Sequence, residues 1–183
     1  MTTAPKQRMT VDDFLPWVET QDSGRYELID GTVVALAPGR AAHVDAKFSS
    51  ALALKSAIQK AGVDCHAYVD GLAVVIDENT SFEPDALVNC GPRVPADSLA
   101  ATNPVVVLEV LSPSTKRQDS SVKLKGYFKV PSIMHYVIVD PASRVVVAHQ
   151  RRADGGIATT IVHSGELRLD PPGISVPVTA LFE

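Results

Sequence analysis

The most informative candidate for a functional residue in this sequence is an acidic residue inside an apolar run. Glu109 lies within the run PVVVLEVL at positions 104–111. A run that is apolar on both sides of the pleat is typical of a central strand covered on both faces. An ionised carboxylate in that setting is costly unless it is paired or binds a metal. Glu109 is therefore either half of a buried Glu–Lys or Glu–Arg pair, or a metal ligand or acid–base group.

A second carboxylate has a similar setting. Asp85 follows Pro84 and precedes the apolar residues at 86–88. Taken alone, it is better explained as a turn residue that hydrogen-bonds to its own backbone. Two carboxylates on neighbouring strands would repel each other without a cation between them, and Mg²⁺ often uses only one or two carboxylates plus water. Together, Asp85 and Glu109 therefore indicate a divalent-cation site more strongly than either does alone.

The segment that follows Glu109 is locally basic. Positions 112–130 contain one acid, Asp119, and five basic residues: Lys116, Arg117, Lys123, Lys125 and Lys129. Five positive charges and one negative give a formal +4 in a chain whose net charge is −4. A solvated helix face is the default interpretation of such a segment. Beside a metal site, the same residues would instead contact backbone phosphates and balance the charge of a transition state.

Three helices are predicted around these residues. Thr10 and Asp13 resemble a capping box that opens a short helix. Asp119 is a candidate N-cap for a helix that ends near Lys129. The longest helix is predicted at 41–61 with Gly62 as its C-terminal stop, from residues at helical spacing: Val44, Phe48, Ala51, Leu52, Lys55 and Ile58.

Strand signals separate these helices. Asp30-Gly31 and Asp70-Gly71 are each flanked by two strand-like runs, so both predict hairpins. The predicted strands are 26–29, 32–36, 65–69, 72–76, 84–90, 105–111, 136–139 and 144–148, with weaker strand signals after Gly155. The alternation of helices and strands predicts an α+β or mixed α/β fold. The length of 183 residues predicts a single domain, with residues 1–9 as a loose tail.

Composition narrows the class of protein. The chain is 45% apolar and 21% charged, which excludes wholesale disorder. Its net acidity disfavours indiscriminate polyanion binding, although a local basic patch is compatible with it. Cys65 and Cys90 form no CxxC pair, and two thiols in a chain of this size weakly favour a cytoplasmic location. Neither a signal-peptide core nor an apolar run of roughly 18 residues is found, so we expect no membrane span.

Other catalytic motifs are absent from the sequence. It contains no GxSxG, no P-loop and no HExxH, and its five histidines show no metal-ligand spacing. An S-x-x-K string does occur at 120–123, but the SDN and KTG motifs that would accompany it are missing, so we interpret it as chance. The two carboxylates and the basic segment therefore remain the candidates for a functional site.

Several motifs in this sequence resemble those of a known family. The similarity covers roughly residues 10–150 in order and is most specific from Glu109 to Asp140. It rests on Tyr26-Glu27-Leu28-Ile29-Asp30-Gly31, Pro38, His43, Pro84-Asp85, Val107-Leu108-Glu109-Val110-Leu111-Ser112-Pro113-Ser114-Thr115, Asp119, Lys123-Leu124, Tyr127 and Val139-Asp140-Pro141. These motifs resemble the putative restriction endonuclease family, a branch with many domains of unknown function, within the PD-(D/E)XK nuclease superfamily.

The resemblance implies a mixed β-sheet flanked by helices and a Mg²⁺-dependent phosphodiesterase site, with Mn²⁺ as a possible substitute. Asp85 takes the place of the first acidic metal ligand and Glu109 that of the second. The superfamily has a lysine two residues after the second acid, whereas this chain has Leu111 there. The family supplies the lysine from the following helix, which makes Lys123 the candidate. Glu27 corresponds to an additional N-terminal acid.

Several further expectations follow from the resemblance. His43 matches a family position and is expected near the site, and Lys116, Arg117 and Lys125 are expected to contact nucleic acid. The implied function is metal-dependent endonucleolytic hydrolysis, with DNA as the expected substrate, although no residue distinguishes DNA from RNA. A homodimer is expected by analogy with enzymes that cut both strands. The alternatives are an inactive nuclease fold used for DNA binding or oligomeric interaction, and a structural salt-bridge cluster with another function.

Overall fold

The computed structural model describes residues 8–111 and 119–183. Its helices are α1 (Val11–Glu19), α2 (Ala41–Ala61), α3 (Asp119–Tyr127) and a final 3₁₀ turn (Val178–Leu181). The Thr10 hydroxyl accepts a hydrogen bond from the Asp13 backbone N–H, which confirms the cap predicted for α1. Gly62 ends α2 in the left-handed conformation, at φ +67°. Most of the predicted tail lies outside the described residues, but the Met9 N–H donates to the Gly31 carbonyl.

A six-stranded mixed sheet forms the centre of the fold, in the spatial order β10-β9-β8-β7-β6-β3. Its strands are β3 (Cys65–Val69), β6 (Ala86–Cys90), β7 (Pro104–Val110), β8 (His135–Asp140), β9 (Val145–Arg151) and β10 (Ile157–Val162). β7 pairs antiparallel with β6 and parallel with β8. The apolar run around Glu109 is therefore a central strand, as the sequence predicts.

Two smaller sheets complete the described structure. The four-stranded sheet has the order β2-β1-β5-β4, and the last two strands in the chain form a separate hairpin. The bounds of these strands are β1 (Tyr26–Ile29), β2 (Thr32–Ala35), β4 (Val74–Asp77), β5 (Thr80–Phe82), β11 (Glu166–Leu169) and β12 (Ile174–Pro177). The hairpin predicted about Asp30-Gly31 is confirmed, since β1 and β2 pair in register on either side of it.

The two faces of β7 pack against different parts of the chain. Val106, Leu108 and Val110 join a core cluster with α2 and the C-terminal strands. Val107 belongs to a second cluster, on the side of the sheet that α3 covers. Because side chains alternate along a strand, Glu109 lies on the same face as Val107. The strand thus presents its carboxylate towards α3.

The hairpin predicted about Asp70-Gly71 is wrong. The chain does turn there, with Asp70 at φ +44° and Gly71 at φ +79°. The strands on either side then separate, because β3 pairs with β6 in the six-stranded sheet and β4 pairs with β5 in the four-stranded sheet. The turn therefore links two sheets, and the Asp70 N–H donates to the Asp85 carbonyl beside the candidate site.

The two cysteines also differ from the expectation of free thiols. Cys65 on β3 lies directly opposite Cys90 on β6, and the two form a disulfide. The cysteine content therefore gives no support to a reducing compartment. In the part of the chain that the structure describes, no helix is both long and apolar enough to cross a membrane.

Candidate active site

Two neighbouring strands bring the predicted carboxylates together. Asp85 directly precedes β6, and Glu109 lies near the end of β7, its antiparallel neighbour. The Val110 backbone N–H donates to Asp85 Oδ2 at 2.7 Å, which fixes the Asp85 side chain one residue from Glu109. Asp85 is 5% exposed. The sheet register therefore places both acids at one buried position, as the sequence predicts.

Helix α3 supplies the predicted lysine. Lys123 Nζ lies 2.9 Å from Glu109 Oε1 and 2.9 Å from Glu27 Oε1. One helical turn later, the Tyr127 hydroxyl donates to Glu109 Oε1 at 2.7 Å. Phe82 lies beneath the ammonium group, which is 5.8 Å from the ring centroid. The helix thus holds Glu109 with two donors at i and i+4.

Glu27 joins the four-stranded sheet to this cluster. It lies on β1 and is 2% exposed. Its Oε1 atom accepts the Glu83 backbone N–H at 2.9 Å as well as contacting Lys123. The structure thus brings Glu27, the acid matched to the additional N-terminal acid of the family, into contact with the same lysine as Glu109.

Helix α2 contributes two basic side chains on the Asp85 side of the cluster. His43 Nε2 donates to the Val110 carbonyl at 2.8 Å and lies 3.7 Å from Asp85 Oδ2. Lys47, one turn later and 6% exposed, has its Nζ 2.6 Å from Asp85 Oδ1. Burial of a lysine is rare without a partner, and the Asp85 carboxylate supplies it. His43 is a predicted site residue, whereas no motif in the sequence singles out Lys47.

The ion pairs continue outward from Lys47. Its ammonium also contacts Asp70 Oδ1 at 3.2 Å, and Arg25 lies 2.7 Å from the same oxygen. Arg25 Nε in turn lies 2.6 Å from Glu83 Oε1, which also accepts the Gly71 N–H. Burial opposes the charge of the Arg25 guanidinium, but Glu83 and Asp70 outweigh it and raise its pKa. These residues form the outer rim of the site.

The omitted residues carry weak sequence signals. Lys47 lies at i+4 from His43, and Tyr127 lies at i+4 from Lys123, so each shares a helix face with a predicted site residue. Asp70 lies in a turn that looks purely structural, and Arg25 and Glu83 border strands without any motif. Helical spacing could have found Lys47 and Tyr127, whereas the rim depends on contacts between two sheets.

The electrostatics of Glu109 follow from its surroundings. Its side chain is 13% exposed, and burial raises its pKa to about 7. Lys123 lowers this pKa, while the nearby Asp85 and Glu27 carboxylates raise it. The pKa of the Tyr127 hydroxyl is raised well above its ordinary value by burial and by Glu109, so it remains a hydrogen-bond donor. Desolvation and like charge together make the ionised form of Glu109 costly.

The remaining predicted residues are not part of this cluster. Lys125 is exposed, and two residues along a helix place it roughly 200° around α3 from Lys123. Lys116 and Arg117 lie outside the described residues. Their expected contacts with nucleic acid stay predictions, as does that of Lys125.

Carboxylates on adjacent strands of a mixed sheet, with a lysine from the following helix, are the arrangement expected of a restriction-endonuclease-like domain. The model of the Uma2 family, described as putative restriction endonuclease, matches residues 11–179, and the chain belongs to this family. The predicted family is thus confirmed.

The chain is also similar to two uncharacterized proteins. The uncharacterized protein slr1290 of Synechocystis sp. is 28% identical over 181 residues, covering 98% of this chain and 94% of that protein. A second uncharacterized Synechocystis protein, sll1609, is 27% identical over 157 residues, covering 84% and 87%.

A solved structure confirms the fold class. The crystal structure of a putative nuclease belonging to DUF820 from Anabaena variabilis has a TM-score of 0.71 and 16% sequence identity to this chain. The match covers 95% of this chain and 97% of that one. The α+β class with a mixed sheet is therefore established for this protein.

Proposed function

We propose that this protein is a metal-dependent endonuclease that hydrolyses phosphodiester bonds of DNA. The observation that carries the proposal is the convergence of Asp85, Glu109 and Lys123 from the start of β6, the end of β7 and helix α3, in a cluster in which Asp85 and Lys123 are buried. Membership of a family described as putative restriction endonuclease supports the same conclusion.

The donor set fits a hard divalent cation such as Mg²⁺ or Mn²⁺. Asp85 and Glu109 supply carboxylate oxygens, and Mg²⁺ is commonly held by one or two carboxylates with water completing its shell. In the described part of the chain, no group of three or more His, Cys, Asp and Glu side chains is arranged to hold a metal. The proposed site is of the two-carboxylate kind, in which water would supply the remaining ligands.

Each residue has a defined task in the proposed reaction. A bound divalent cation supplies Lewis acidity and lowers the pKa of a bound water. Asp85 is held for its role as a ligand by Lys47 and by the Val110 N–H. The Lys123 ammonium orients the attacking water or stabilises negative charge that develops on the phosphate. In this in-line hydrolysis the water oxygen forms a bond to phosphorus as the bond to the leaving oxygen breaks.

Nicking of supercoiled plasmid by the purified protein tests the proposal. We expect cleavage with Mg²⁺ or Mn²⁺, none with EDTA, and a loss of at least about 100-fold in Glu109→Gln. Glu166→Gln is the matched control, because Glu166 lies on β11 and contacts Ser175 outside the cluster. Circular dichroism would verify that both variants fold.

One negative result would favour the other interpretation. If the wild type does not cleave, and Mn²⁺ binds it no better than it binds Glu109→Gln in calorimetry, the carboxylates are not a metal site. The chain would then be an inactive nuclease fold used for binding or assembly. The ion pairs that Lys47 and Lys123 make with Asp85 and Glu109 are the feature that such a protein would retain.

A further inference from the structure

Helix α2 carries an apolar stripe on the face that points away from the protein. Val44, Phe48 and Leu52 recur every fourth residue and are 52%, 65% and 55% exposed. At roughly 100° per residue, they lie opposite the face that packs on the sheet. The buried face consists mostly of small residues: Ala46, Lys47, Ser49, Ser50, Ala53, Leu54, Ala57 and Ile58. Single exposed apolar side chains are ordinary, but a contiguous stripe of large ones marks an interaction surface.

The stripe is complementary to itself. If α2 lies antiparallel to a second α2, with a two-fold axis on its exposed face at the level of position 50, position i faces position 100 − i of the other helix. Phe48 then faces Leu52 of the partner subunit, and Asp45 faces Lys55 of the partner subunit. On the same face of the helix, Val44 would face Ser56 and Ala41 would face Gln59 under this rule. This antiparallel arrangement therefore pairs Phe48 with Leu52 and Asp45 with Lys55. Each pair occurs twice because of the two-fold symmetry.

A cavity at one end of the stripe gives the aromatic residue a place to pack. It has a volume of about 350 Å³ and lies between α2 and the C-terminal residues. Leu52 and Ser56 of α2 line it together with Pro177 and Ala180. Since Leu52 lies at this cavity, the pairing brings Phe48 of the partner subunit to its rim. Buried aromatic anchors in such pockets contribute much of the free energy of association.

We propose that the chain forms a homodimer through this antiparallel packing of α2 on α2. A standard interface covers roughly 800 Å² on each partner. The 21 residues of α2 span about 30 Å, which at a helix width of roughly 10 Å gives about 300 Å². The residues beside the helix, including Pro177 and Ala180 at the cavity, would contribute the rest of the interface.

A second copy of the chain covers this surface, because a two-fold interface must be complementary to itself. The pairing of Phe48 with Leu52 and of Asp45 with Lys55 meets this condition. The homodimer expected by analogy thereby acquires a specific surface, and the proposal does not depend on nuclease activity.

Light scattering coupled to size exclusion tests the surface. At micromolar concentration we expect twice the 19.5 kDa chain mass for the wild type. Phe48→Glu should raise the dissociation constant at least 100-fold and give the monomer mass. Ile161→Glu is the matched control, because Ile161 is 61% exposed on the edge strand β10, and this variant should stay dimeric.

A charge exchange tests the register of the two helices. Asp45→Lys or Lys55→Asp alone places like charges together twice and should weaken the dimer several-fold. The double variant restores both attractions and should return the dissociation constant close to that of the wild type. A monomeric wild type at 100 µM, a dimer that persists in Phe48→Glu, or a double variant weaker than either single variant would overturn the proposal.

Discussion

Replacement of Lys123 by methionine tests whether the central cluster is a desolvated group of charges. Lys123 is 4% exposed and Glu27 2%, so both are removed from water. The variant keeps the length of the side chain but removes the cation shared by Glu27 and Glu109. Breaking a buried ion pair by removal of one partner costs about 3–5 kcal/mol, because the remaining charge has no counterion. That cost is a large part of the roughly 5–15 kcal/mol that stabilises a typical domain.

Urea unfolding, followed by the fluorescence of Trp17 and by circular dichroism, measures this cost. The control is Lys125→Met, which makes the same chemical change at an exposed position of the same helix and should alter stability by less than about 0.5 kcal/mol. Adding Glu27→Gln to Lys123→Met removes one of the two acids that Lys123 contacts and should recover on the order of 1–3 kcal/mol through coupling. A loss below about 1 kcal/mol in Lys123→Met would refute a desolvated cluster.

Two further predictions concern the packing around the site and the central sheet. In Gly126→Ala, the new Cβ would overlap the ring of Phe82, which is buried and packs edge-on against Tyr127. Unfolding experiments should therefore show a loss of about 1–3 kcal/mol, and wild-type stability would contradict this. His135 Nε2 donates a hydrogen bond to the Pro171 carbonyl, and burial lowers the pKa of this histidine. The unfolded chain therefore binds a proton at His135 more readily than the folded chain does. The contribution of His135 to stability is complete above about pH 6.5 and is lost as the pH falls below that value. The stability difference between wild type and His135→Gln, measured in urea from pH 7.5 to 5, should therefore shrink on acidification, and a constant difference would contradict this titration.

Local signals predict the parts of the fold that depend on a few adjacent residues. Gly62 at φ +67° ends α2 at the predicted position, because glycine adopts this conformation without a steric penalty. Asp30-Gly31, at φ +47° and +74°, likewise forms the predicted β1–β2 turn. In each case a few adjacent residues account for the local structure.

The orientation of α2 could not be predicted in the same way. The spacing of Val44, Phe48 and Leu52 predicts the correct helix but points to the wrong buried face. The sheet instead receives small residues, which allow close packing, and Lys47, whose burial depends on Asp85 nearly 40 positions later in the chain. An apolar stripe shows that a helix has an apolar face, but it does not show what covers that face.

The second predicted hairpin failed for a related reason. Asp70-Gly71 has the residues of a tight turn and forms one, but β3 and β4 find their partners further along the chain, in β6 and β5. The choice of partner is a long-range property. In this protein it also places Asp70 beside Arg25 and Lys47, so the failed prediction and the unpredicted rim of the site have one cause.

The electrostatics of Glu109 support the proposed metal site. Burial, together with the charge of the neighbouring carboxylates Asp85 and Glu27, raises the pKa of this acid to about 7. Acids whose pKa is shifted by burial and by like charge are typical of functional sites. A divalent cation held by Asp85 and Glu109 would offset the repulsion between the two carboxylates, and structural packing alone does not require them to lie together.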